Sequence, residues 1–475
     1  FRPRSVHTHR LLVLQSLHIQ SDHSFLVSSH LVQHLALALC IQFTSNGMLR
    51  PIANSISRAA PTASGCSRWG GNRLSASKGR RFLASSPGEG RLWRWTPGVK
   101  DAKPVPFEEF RNVTVAAAGP EHSGFVSDGI LYTYGSNKYG QLGWEPSSSS
   151  SAPAAETTEG EEIREAIAEA ADGHRPAILS LSMGQWHTAA ISEGGILWTC
   201  GWGGSFWRGT GALGHDTTDT RILLTIVSRF LQYGEEIHQV ACGDRHTVVL
   251  TNPGNLFTCG KGEFGRLGRG DTHDCLEFEE MDFFEHSNDS ILNPMGKTEL
   301  VKIDSGDNFS AVLSTDGELW IWGHNDYGQL GQGLEVLESK STSYSRYPKM
   351  VKTLPVEGQR IVDVACGRHH VVVLTSAGAI YEWGNRKYLE PHPLTLPSRY
   401  EAGIKNLERV FAGDGVSFAV TTDGKLYAWG PDLSEGILPE KATTPTLVNP
   451  ELFNGEPVVE VAADTHSCMV ITERR

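Results

Sequence analysis

The chain has 475 residues, of which 42 are Lys or Arg and 54 are Asp or Glu, for a formal charge of −12, with 51 Gly and 23 Pro. Its most apolar N-terminal run, LVQHLALALCIQF at 31–43, contains Gln and His and is too short to cross a bilayer, so no membrane insertion is expected. The eight Cys form no CxxC pair and show no metal-ligand spacing, which argues against a zinc module, and small buried hydrophobes in a reducing compartment are expected instead.

No Met precedes Met48, and residues 1–47 are expected to be untranslated or misassigned leader. Residues 48–87 are rich in Arg and Ser, and no Asp or Glu occurs between residues 23 and 88. An import signal needs that composition, because a negative-inside membrane potential draws positive charge and a carboxylate opposes it. A mitochondrial destination is expected, with plastid or nucleus as alternatives, and processing near Arg80-Arg81-Phe82. Ten of the basic residues and one acidic residue lie before residue 89, which leaves 32 against 53, or −21, for the remainder. So acidic a body is a poor non-specific DNA binder, since phosphate binding rests on counterion release by Lys and Arg.

From residue 88 to 475 one pattern repeats. GRLWRWTPG starts at Gly90, and fuller copies start at Asp128 (DGILYTYGSNKYGQLG), Gly194, Pro253, Asp316 (DGELWIWGHNDYGQLG), Ala377 and Asp423. In the Asp316 copy, Asp316-Gly317 reads as a two-residue type I′ turn. Leu319-Trp320-Ile321-Trp322 reads as a strand apolar on both faces, and the Gly-rich run after it as an ordered loop with Tyr327 and Leu330 tucked back. A second strand-like segment precedes each full copy, as in HQVACGDRHTVVLT, and a seventh, VEVAADTHSCMVIT, stands alone at the C-terminus. The unpaired first and last segments are two halves of one unit. At about 55 residues each, seven units suit four-stranded blades that bury their apolar faces only against neighbours. The expected fold is all-β: a seven-bladed propeller of four-stranded antiparallel blades, closed by pairing of the N- and C-terminal strands.

The aromatic-x-aromatic-Gly strand, the GQLG or GxLG loop after it and the Gly-x-x-His of the preceding strand resemble the regulator of chromosome condensation repeat family. That resemblance implies the propeller and leaves function open, because the family includes an exchange factor for the small GTPase Ran, a plant ultraviolet-B receptor, ubiquitin-ligase modules and organellar assembly factors. The photoreceptor reading needs clustered Trp at GWRHT motifs. Only GQWHT, with Trp186, comes near, and the equivalent positions hold Glu121, Arg245, Asn308, His369, Gly415 and Thr465.

Two segments interrupt the rhythm. Residues 146–176 are acidic and low in complexity and read as a solvated surface loop with at most a short helix around Ile163 to Ala171. Residues 271–298 are expected to give an edge strand. The loop WGGSFWRGTGALG carries five extra residues, and its Trp202, Phe206, Trp207 and Arg208 match the composition of interface hot spots, although they could equally fold inward as a cap. The loop lacks GxxxxGK[ST], so a phosphate cradle is rejected. His122, His187, His246, His370 and His466 recur three residues after the Gly position (Ala463 in the last copy), which favours a repeated structural hydrogen bond over a metal site. Catalytic, cofactor and metal residues are read as none.

The expected function is a non-enzymatic scaffold in the mitochondrion that binds protein or ribonucleoprotein partners, similar to organellar family members implicated in ribosome or RNA maturation. The alternative is a guanine nucleotide exchange factor for a small GTPase, for which Asp244, Arg245, His246 and Arg368 are the candidate contact residues.

Overall fold

The computed structural model describes residues 90–474 apart from 97–98, 100–101, 146–162, 167–172, 174, 206–208, 253, 285–298, 334–342, 355–358, 395–405, 434–436 and 439–441. Seven four-stranded antiparallel sheets stand in a ring, and their innermost strands are Val113–Ala118, Ile178–Met183, Ile237–Cys242, Leu300–Ser305, Ile361–Cys366, Leu407–Ala412 and Val458–Ala463 (blades 1 to 7). Each innermost strand contacts that of the next blade, and the seventh contacts the first. The fold is therefore the closed seven-bladed propeller that the repeat implies.

The core is split among the interfaces between blades, one apolar cluster for each. The strand Leu319–His324 shows how the sequence does this. Leu319 and Ile321 face blade 5 and pack with Leu330, Val351 and Trp383, whereas Trp320 and Trp322 face blade 3 and pack with Val248, Leu250 and Met281. The period of two on a strand sends alternate side chains to opposite neighbours, so a strand apolar at every position is needed.

Two loop expectations change in detail. Asp316 is not at positive φ, and the hairpin is a three-residue loop in which Gly317 (φ 82°) donates to the Ser314 carbonyl and Ser314 donates to that of Glu318. This is the type I turn with a left-handed Gly that three-residue hairpins favour. The two-residue turn occurs instead at Asp128-Gly129, both at positive φ, between the paired residues Ser127 and Ile130. In the segment expected to be at most a short helix, Arg164–Glu165 is extended and pairs with Tyr132 and Thr133 as the outermost strand of blade 1, because that edge offers unsatisfied backbone groups. Cys275–Glu280 supplies the expected edge strand of blade 3.

The GxLG loop is a clamp between blades. Within a blade, Thr133, Thr199 and Thr258 each donate to the carbonyl of their own loop's Leu: Leu142, Leu213 and Leu267. From the next blade, the second aromatic position of the third strand reaches the carbonyl one residue earlier. Trp322 donates to Arg266 and Trp383 to Gln329, both at 2.9 Å. Cys200 and Cys259 occupy the same position and reach Gln141 and Ala212 at 3.6 Å. These thiols are buried and free, and burial pushes both upward in pKa.

Around the axis, side chains satisfy the innermost amides of the following blade. Gln239 accepts from Ile303 N, Asp363 from Val410 N and Glu460 from Ala116 N, and Ser182 and Asp304 do the same for Cys242 N and Cys366 N. Asp363 also takes the Lys302 ammonium. Replacing Asp363 by Ala leaves the buried Val410 amide without its acceptor and takes a partner from the partly exposed Lys302. We expect a loss of roughly 1–3 kcal/mol, the cost of an unsatisfied buried polar group, measured by urea denaturation; a change under about 0.5 kcal/mol would contradict the stitching role.

Blade 7 is the closure. Gly90–Trp95 pairs along its whole length with Cys468–Glu473, with Trp93 opposite Val470. Trp93 Nε1 donates to Thr472 Oγ1 at 2.9 Å, that hydroxyl donates to Glu456 at 2.6 Å, and Arg91 meets Glu456 at 3.0 Å. Truncation before Pro457 deletes both inner strands of blade 7. It should lower the melting temperature sharply and broaden the transition in calorimetry, and an unchanged transition would contradict closure by these strands.

Candidate functional site

The four-residue turns that follow the innermost strands gather at one mouth of the axial channel, above a cavity of about 220 Å³ lined by all seven blades. Their last position holds His122, His187, His246 and His370, all buried. Each ring bonds a hydroxyl of the next blade: Thr188 at 2.7 Å, Thr247 at 3.0 Å, Ser310 at 2.7 Å and Ser417 at 2.9 Å. Burial lowers all four pKa values, to about 3 for His122 and about 4 for His187, so these imidazoles are neutral struts between blades. His246, a candidate contact residue by sequence, has no exposed surface and is withdrawn from that role. His466 does not join the row. Ala463 pairs with Cys468 as Cys242 pairs with Thr247, so Ser467 takes the His place, with its hydroxyl 2.9 Å from that of Tyr134, and His466 is exposed. Among the described residues no group of His, Cys, Asp or Glu is placed to hold a metal ion.

Two clusters ring the mouth. The first spans blades 1 to 3. Trp186 and Trp202 meet edge to face at 5.2 Å, Tyr139 lies 5.4 Å from Trp186, and the Arg245 guanidinium sits 4.6 Å from the Trp186 ring centre and 6.0 Å from that of Trp202. Trp186 Nε1 donates to Glu121 at 3.0 Å. Set over the Trp186 ring with Trp202 alongside, Arg245 is pre-organised. Sequence reading placed Trp202 and Arg245 among the candidates without linking them, since two loops of different blades bring them together.

The second cluster spans blades 3 to 7. Arg368 donates through Nε to Asp307 at 2.9 Å and through Nη1 to Asp414 at 3.0 Å, and Thr465 donates to the same Asp414 oxygen at 2.8 Å. Asp244 N donates to the Asp307 carbonyl. Burial raises Asp307 to about 7 and Asp464 to about 6, and raises Asp244 as well. Asp307, Asp414 and Asp464 were missed by sequence reasoning. The recurring Gly-Asp of GDRH, GDNF and GDGV was the available signal for the first two.

The enlarged loop forms a two-stranded ribbon, Gly204–Ser205 against Gly209–Thr210. Trp202, at its base, is buried. Phe206, Trp207 and Arg208 lie outside the described residues. The ribbon is fixed to blade 3 by one carboxylate: Asp274 accepts from Thr210 N at 3.1 Å and from Gly262 N at 2.9 Å. Replacing Asp274 by Ala should speed amide hydrogen exchange at Thr210 and Gly262 at least tenfold while leaving strand amides of other blades protected; unaltered exchange would show that the ribbon stands without this brace.

A closed ring of seven four-stranded antiparallel blades defines the class as a seven-bladed β-propeller. The family model described as the RCC1-like domain matches residues 85–391, and the chain belongs to that family. It is similar to the ultraviolet-B receptor UVR8 of Arabidopsis thaliana, 30% identical over 332 residues that cover 67% of this chain and 65% of the receptor. It is also similar to the RCC1 domain-containing protein RUG3, mitochondrial, of the same plant, 28% identical over 365 residues that cover 74% and 73%. The chain spans between 6% and 65% of the length of the first four curated relatives it matches. In fold it is similar to Prp20p from Saccharomyces cerevisiae, with a TM-score of 0.65 at 19% identity over 83% of this chain and 93% of that one.

Proposed function

We propose that this chain is a non-catalytic scaffold of the mitochondrion that docks a protein or ribonucleoprotein partner on the mouth face, in the setting of ribosome or RNA maturation. The observation that carries the reading is the cluster of Trp186, Trp202 and Arg245 beside the braced ribbon. Rigid aromatics around an ordered Arg, on loops of a stiff frame, are the composition on which binding energy concentrates. The mitochondrial part rests on the basic, acid-free residues 48–87 and on the likeness to RUG3. On composition, residues 48–87 are read as a transit peptide ahead of the propeller of residues 88–475.

A second reading is nucleotide exchange on a small GTPase, with Asp244, Arg245 and Arg368 at the contact. It draws on the likeness to Prp20p, a protein described for its binding to Gsp1p and histones. One pair of measurements separates the two. Residues 88–475 at catalytic concentration should leave mant-GDP release from Ran-like and organellar GTPases unchanged. Trp207→Ala with Arg208→Ala should fold normally yet lose most of the partner recovered from isolated mitochondria. Accelerated release would replace the scaffold reading with exchange, and full recovery with the double variant would remove the ribbon from the docking face.

A further inference from the structure

At the channel mouth, four carboxylates, Asp244, Asp307, Asp414 and Asp464, share two guanidinium groups. Arg245 stands 3.8 Å from Asp244 and beside the indoles, whereas Arg368 bonds Asp307 and Asp414 directly and acts on Asp464 through its charge. Its two bonds run in opposite directions around the ring, to blade 4 through Asp307 and to blade 6 through Asp414. Thr465 carries the connection on to blade 7, bonding Asp414 and Asp464 with one hydroxyl at 2.8 and 3.0 Å. Four consecutive blades are therefore tied across the mouth by one side chain and its partners. The tie is partly shielded from water, with the Asp307 side chain 19% exposed and that of Arg368 42%.

We propose that Arg368 is a proton-controlled latch across the mouth, gripping blades 4 and 6 together when Asp307 is ionised and releasing its blade 4 arm when Asp307 takes up a proton.

The groups that face Asp307 set where this happens. Burial favours its neutral form, Arg368 opposes that, and the negative charges of Asp244 and Asp464 add to the effect of burial. Asp464 is itself raised by burial, with Thr465 hydrogen bonds and Arg368 opposing and Asp414 assisting. Asp244 answers mainly to burial and is held back by Arg245, Arg266, Arg368 and Lys261. His369, beside Arg368 and stacked on Tyr327 at 4.0 Å, is lowered to about 4 by burial and stays neutral through this range. The side chain of Asp432 packs against Gly415 at the same rim. Within this set of four carboxylates and two guanidinium groups, uptake of a proton by Asp307 and by Asp464 removes two negative charges from the mouth. The charge offered to a partner at this side of the mouth thus changes between about pH 6 and 7.

The sign for stability follows from linkage. Asp307 is raised in the folded chain relative to its ordinary value of 3.8, so folding takes up a proton between pH 4 and 7. Its contribution to stability is present in full below pH 4 and lost as the pH rises through 7.

The test uses the intact chain labelled with ¹⁵N-arginine. The Arg368 Nε–H resonance, assigned by its loss in Arg368→Lys, is followed from pH 5 to 9. We expect a single inflection near pH 7, abolished in Asp307→Asn and moved to lower pH in Asp464→Asn, which removes a like charge. In thermal melts Asp307→Asn should gain on the parent as the pH rises from 5 to 8. No inflection between pH 5.5 and 8.5, or one that survives in Asp307→Asn, would overturn the latch. So would a melting difference that stays constant with pH. Because only the chain itself is observed, failure here leaves the docking reading standing, and loss of docking leaves the latch standing.

Discussion

Everything in this molecule depends on a six-residue pairing between Gly90–Trp95 and Cys468–Glu473, far apart along the chain. An open row of blades would expose two apolar faces, one at each end, because no blade buries its own side chains within itself. Closing the row turns both faces into one more interface, where Trp93 and Trp95 pack on Phe453, Phe418 and Val470. The pairing also puts Trp93 into a polar chain with Thr472, Glu456 and Arg91, which fixes register where backbone bonds alone would tolerate slippage.

Given closure, each blade needs only local attachments, and the repeat supplies three kinds. Apolar side chains alternate to left and right, the GxLG loop is gripped from both sides through its carbonyls, and innermost amides are capped by a side chain of the blade before. The last device lets a sheet edge face a channel without leaving donors unpaired. Its residue type varies, with Gln239, Asp363 and Glu460 at one level and Ser182 and Asp304 at another, since any short acceptor of suitable reach serves. Where the acceptor is charged, a cation stands close, as Lys302 does for Asp363 and Arg409 for Glu460.

The architecture was legible because its rule is written many times over: the LWIW strand, the GQLG loop and the matching half-units at the two ends. Single turns were less so. Asp316-Gly317 and Asp128-Gly129 are the same dipeptide in hairpins of different length, because the turn type follows the strand pairing on either side. His466 was misplaced for a related reason: the last copy keeps the four-residue turn but carries its His one place early, with Ser467 at the fourth place, which the Ala463–Cys468 pairing reveals. The mouth was half legible. Asp244, Arg245 and Arg368 could be named from their turns, but the joining of Arg368 to Asp307 and Asp414, or of Arg245 to Trp202, depends on which turns are neighbours on the ring and how far the side chains reach.

The closing strand bears on the order in which the chain reaches its folded state. Trp93 and its hydrogen-bond partner Thr472 are 379 residues apart. Contacts so distant in sequence form late, because the entropy of closing the loop between them is lost before they stabilise anything. Six blades can assemble before the ring shuts, while the Gly90–Trp95 edge stays open to any other strand nearby. A second copy of the chain offers that edge the same Cys468–Glu473 sequence, so exchange of the last strand between two rings is the hazard built into this topology.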